Sequence, residues 1–139
     1  MKLISILFFV SLNFYSCISQ KGLTENCKSI KIEFVDLYVM TPVNVTLENF
    51  HQYFGDSINS ITIKDRATIS KTIEKLNTFF NSSAKAELLP DTRLIITLYY
   101  ENTVQVITMG TTLLNSKGQS YISNDSIRQY FGKLTNNEW

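Results

Sequence analysis

The chain has 139 residues, with 13 basic and 12 acidic side chains, one His and two Cys. That length fits one domain and argues against a two-domain enzyme. One His and two Cys cannot supply the four nitrogen or sulfur ligands of a zinc site, and a net charge of +1 gives no basic face for nucleic acid. At 44% apolar residues, the composition is that of a folding chain rather than a disordered one.

Residues 1–19 read as an address. Lys2 precedes a ten-residue apolar run, 3–12 (LISILFFVSL), and the small residues Ser16 and Ser19 follow. This is the layout of a secretory leader. The run is about half the length of a membrane-spanning helix. Two processing sites fit. Residues 14–17 (FYSC) form a relaxed lipobox, with a small residue before Cys17, the candidate lipid-attachment residue. The other site, after Ser19, would release a soluble chain starting at Gln20. Either one leaves Cys27 without an internal disulfide partner, although the compartment is oxidising. Loss of residues 1–19 removes one Lys and no acid, so the mature chain carries no net charge.

Residues 20–29 (QKGLTENCKS) are polar and without period, a tether. A single domain is expected over 30–132, with 133–139 as a tail. Residues 30–40 (IKIEFVDLYVM) begin with strand alternation and stop at Pro42. Leu47, Phe50 and Phe54 are spaced for a short helix, capped by Thr46 and ended by Gly55. Residues 59–64 (NSITIK) alternate as a second strand. The strongest helix signal covers 66–80, with Asp65 as N-cap and Ile69, Ile73, Leu76 and Phe80 on one stripe.

Residues 93–100 and 104–109 read as one hairpin, and 110–114 and 119–123 as a shorter one with Lys117-Gly118 at its tip. Asn124 or Asp125 caps a last helix that carries Ile127, Tyr130 and Phe131 and ends at Gly132. The expected fold is α+β: an antiparallel sheet of about five to six strands, covered on one face by one long amphipathic helix, plus two short helices.

Few residues offer chemistry. The five glycines are scattered, so no phosphate-binding loop exists, and neither a G-x-S-x-G elbow nor an S-x-x-K is present. His51 is the one candidate imidazole base, and Cys27, in the tether, is poorly placed as its nucleophile. Asp65 and Asp91 could serve as a carboxylate pair, but capping and turn roles explain them more simply. No catalytic residue, metal ligand or cofactor is therefore assigned. A binding surface is the better candidate, built from Arg93, Tyr99, Tyr100 and Tyr121. Arg93 could take a carboxylate or phosphate, or simply pair with Asp91 or Glu87. The tyrosines could form an exposed aromatic face or pack across strands.

The order of a leader near Cys17, Met40-Thr41-Pro42, Ile63-Lys64-Asp65 before an Ile-spaced helix, Asp91-Thr92-Arg93 before a Tyr-ending strand, and Gly118-x-x-Tyr121 resembles small secreted proteins and lipoproteins of Bacteroidota-type bacteria. The resemblance implies a compartment and a small α+β fold, and carries no activity. The sequence thus points to an exported, non-enzymatic envelope lipoprotein or secreted binding module. Its partners would be the membrane, through lipid on Cys17, and a protein or envelope component. The alternatives are an inhibitor or immunity protein that blocks a secreted enzyme or toxin, with 115–118 as a wedge, and a weak hydrolase using Asp65, Asp91 or His51.

Overall fold

The computed structural model describes residues 26–36 and 39–137. The leader, Cys17, both processing sites and Trp139 lie outside the described residues. Seven strands form one antiparallel sheet: β1 (Ser29–Phe34), β2 (Asn59–Ile63), β3 (Lys85–Ala86), β4 (Leu94–Tyr99), β5 (Val104–Met109), β6 (Leu113–Ser116) and β7 (Gln119–Ile122). Their spatial order is β2-β1-β4-β5-β6-β7-β3. Among the described residues three α-helices accompany them: α1 (Phe50–Phe54), which continues into a 3-10 turn at Gly55–Ser57, α2 (Arg66–Ser82) and α3 (Asp125–Thr135).

The chain leaves β2 at one edge of the sheet and reaches β3 at the other, so α2 must cross the whole sheet. Its 17 residues make about 25 Å of helix, and six strand spacings make about 29 Å, so the two lengths match. Asp65 starts α2 by accepting from the Ala67 and Thr68 amides at 3.2 and 2.8 Å. The buried stripe is Ile69, Thr72, Ile73, Leu76 and Phe79. Phe79 rather than Phe80 points inward, while Phe80 lies half-buried with its ring 5.0 Å from that of Tyr121.

The expected sheet of five to six strands under one long helix is corrected on two counts. The sheet has seven strands, because the short β3 pairs with β7 at the far edge. The cover is divided between α2 and α3, because a helix about 10 Å wide leaves much of so broad a face bare. From α3, Ile127 and Phe131 enter the same core as Ile32, Ile96, Ile107 and Leu114. Thr72 Oγ1 donates to the Thr68 carbonyl at 2.8 Å, so the Tyr130 hydroxyl is the donor in its 2.7 Å bond to Thr72 and clamps α3 to α2. Gly132 does not end α3; the helix runs to Thr135 and closes on the left-handed Asn136 (φ 53°), so residues 133–135 of the expected tail belong to its last turn.

The other face carries a second, smaller core of Val35, Val45, Phe50, Phe54 and Ile95. The segment 41–46 and α1 supply this cover. Thr46 does not cap α1; its amide donates to Asn49 Oδ1 at 2.7 Å, and Leu47 is exposed. The β6–β7 turn has Lys117 and Gly118 both at positive φ (51° and 77°), as a tight two-residue hairpin requires.

Candidate functional site

Where the chain enters β1, it passes beside the first two turns of α2. Asn26, Cys27, Arg66, Ile69, Ser70 and Ile73 line a groove of about 350 Å³ there. The helical period places Arg66, Ile69, Ser70 and Ile73 on neighbouring turns of one side of α2. Ile69 and Ile73 are buried and make an apolar floor, whereas Asn26, Arg66 and Ser70 are exposed and make a polar rim.

Cys27 is half-buried and forms no disulfide among the described residues. Its thiol donates to the Ser29 carbonyl at 3.4 Å. Burial pushes the thiol up, against smaller opposing effects of backbone hydrogen bonds at Ser29 and Tyr99, so the groove holds a neutral SH at neutral pH. Tyr100 is pushed up to about 12, by burial first and by the charge Cys27 would carry second. The floor is therefore uncharged. On the rim, Arg66 has no ion-pair partner among the described residues, and the neighbouring Asp65 carboxylate is engaged with the α2 amides.

The four residues expected to share a binding surface do not meet. Arg93 is buried, 4% exposed. Its Nη2 donates to Asp91 Oδ2 at 2.6 Å and to Thr41 Oγ1 at 3.0 Å, and its guanidinium lies 5.3 Å from the Phe54 ring centre. Asp91 Oδ1 also accepts from the Val45 amide at 2.7 Å, and the Val45 carbonyl accepts from the Thr92 amide at 2.7 Å. Asp91-Thr92-Arg93 thus fastens segment 41–46 over the smaller core, and the Arg93 guanidinium is buried and already engaged. Tyr121 pairs with Leu114 on the helix-covered face and packs on Phe79 and Phe80. Tyr100 is half-buried against the main core. Only Tyr99 is exposed; it lies on the opposite face from Tyr121, across from Val104.

The residues considered for hydrolysis are also apart: Asp65 caps α2, Asp91 holds Arg93, and His51 sits on α1. His51 does have a carboxylate partner that the sequence reading missed. Its Nε2–H donates to Glu33 Oε1 at 3.1 Å, and Lys31 Nζ donates to the same oxygen at 2.9 Å. A carboxylate can only accept, so the ring proton sits on Nε2. Burial pushes Glu33 up, but the bonds from Lys31 and His51 and their charges outweigh it, and its carboxyl lies below the ordinary range. The alternation of β1 was the available signal, because it sets Lys31 and Glu33 on one side.

Among the described residues no group of three or more His, Cys, Asp or Glu is placed to hold a metal ion, and no helix is long and apolar enough to cross a membrane. No family model, curated protein or solved structure matches the chain.

Proposed function

We propose that the chain is an exported, non-enzymatic binding module held to the cell envelope through Cys17, and that its binding site is the groove beside the start of α2. The observation that carries the reading is the pairing of Arg66, without an ion-pair partner among the described residues, with the apolar floor of Ile69 and Ile73. That combination suits a ligand with one anionic group and a short apolar portion: the guanidinium takes a carboxylate or phosphate, and Ser70 and Asn26 offer further hydrogen bonds. The tether supports the placement. From Cys17 to Ser29 the chain spans at most about 40 Å, which keeps the groove near the envelope surface.

The test is a photo-crosslinking amino acid placed at Ser70 or at Lys117 in cells that make the full chain. The proposal expects an adduct from Ser70 that Arg66→Ala abolishes, and none from Lys117. An adduct from Lys117 alone would overturn it and favour an inhibitor that uses the β6–β7 tip. Equal labelling at both positions, or labelling at Ser70 that ignores Arg66, would also overturn it.

A further inference from the structure

The two edges of the sheet are built differently. At one edge β3 has only two residues, so it offers almost no backbone to a new strand. At the other, β2 has five residues, Asn59-Ser60-Ile61-Thr62-Ile63, with no charge, proline or glycine among them. Charges, prolines, bulges and short length are the usual protections of an edge strand, and β2 has none of them. Asn59, Ser60 and Thr62 are exposed, and Ile61 and Ile63 are only partly covered by the main core. Along this edge Asn59, Ser60 and Thr62 are left exposed; α2 leaves it toward β3, and α1 packs on Val35, just past β1, and on Ile95 of β4.

The hydrogen-bond phase shows which backbone groups are free. The Val35 amide donates to the Arg93 carbonyl at 3.0 Å, so odd-numbered residues of β1 bond to β4 and even-numbered ones to β2. Ile30, Ile32 and Phe34 then bond to Ile63, Ile61 and Asn59. The N–H and C=O groups of Ser60 and Thr62 consequently point outward, away from the sheet.

We propose that β2 pairs with β2 of a second copy of this chain, antiparallel about a two-fold axis through Ile61. This register is self-complementary. Ser60 faces Thr62 of the other copy twice, and each such pair exchanges two backbone hydrogen bonds. Their hydroxyls lie side by side, a favourable cross-strand pairing. The two Ile61 side chains meet at the axis in a non-hydrogen-bonded position, where cross-strand side chains approach most closely, and extend the main core across the junction. With a net charge of +1 there is little repulsion between copies. The inference stands on the sheet edge and is independent of the groove.

Sedimentation of the full chain and its variants tests it. The proposal expects the full chain to sediment as a dimer. Ser60→Lys with Thr62→Lys sets like charges opposite each other at both pairs and weakens self-association about tenfold or more. Ser60→Lys with Thr62→Glu sets opposite charges there and restores the dimer. Ile61→Cys forms an intermolecular disulfide under mild oxidation, and Ile63→Cys, which faces Asn59 of the other copy, does not. A monomeric parent chain overturns the proposal, as does equal association of the two charge variants or equal crosslinking at the two cysteine positions. Circular dichroism confirms that each variant is folded, since Ser60 and Thr62 are solvent-facing.

Discussion

Removing the Asp91 carboxylate should loosen one whole side of the molecule. The Arg93 side chain is 5% exposed and that of Asp91 44%, so the cation is the more deeply committed partner. In Asp91→Ala, Arg93 keeps the Thr92 carbonyl at 3.2 Å and Thr41 Oγ1 at 3.0 Å but loses both contacts to a counter-charge. A buried charge left without its partner costs about 3–5 kcal/mol. The Val45 amide loses its acceptor as well, which keeps the loss toward the upper part of that range. Against a total stability of about 5–15 kcal/mol for a domain of this size, this is a large fraction.

Asp91→Asn keeps an acceptor for Val45 and should cost less, about 1.5–3 kcal/mol. Arg93→Met leaves a half-exposed carboxylate that water can solvate and should cost less than Asp91→Ala. Urea denaturation gives the three values, and hydrogen exchange at the Val45 amide reports whether segment 41–46 has come away. A loss below about 1 kcal/mol for Asp91→Ala, with Val45 still protected, would refute the idea that this pair fastens the segment.

Three further outcomes are expected. A Cβ at Gly110 would collide with the Asp91 carbonyl, so Gly110→Ala should cost about 1–3 kcal/mol by denaturation; an unchanged midpoint would contradict that close approach. The lowered Glu33 carboxyl contributes stability that is present above its unfolded pKa and lost as pH falls through its folded value. Acid denaturation should therefore be shallower in Glu33→Gln, and the same slope in both proteins would dismiss the Lys31–Glu33–His51 cluster as a stabilising unit. Tyr100, raised to about 12, favours the folded state below the ordinary tyrosine range and loses that contribution as pH rises toward 12. Phenolate absorbance should show Tyr100 and Tyr130 both titrating late, and the component near 12 should disappear in Tyr100→Phe.

What the sequence revealed was local. Asp65 was legible as a cap because capping involves only the next three residues. The Lys117-Gly118 tip was legible because a two-residue hairpin needs positive φ where Gly adopts it easily. The division of cover between α2 and α3 was not legible. It follows from β2 and β3 lying at opposite edges, a fact of pairing that no local period encodes. Phe79 displaced Phe80 from the stripe because the core-facing side of α2 drifts over four turns against a broad sheet. The site depended most on distant partners. Cys27 meets Arg66 and Ser70 across the groove, Glu33 meets His51 across 18 positions, and Asp91 meets Val45 across 46. Arg93 looked available because Asp91-Thr92-Arg93 reads as a surface cluster until segment 41–46 is laid over it.

The intact mass of the native protein in membrane and soluble fractions tests the central claim most directly. An envelope-held binding module predicts a membrane-bound species that begins at Cys17 and carries a lipid adduct. A soluble species that begins at Gln20, with nothing retained in the membrane, would contradict it.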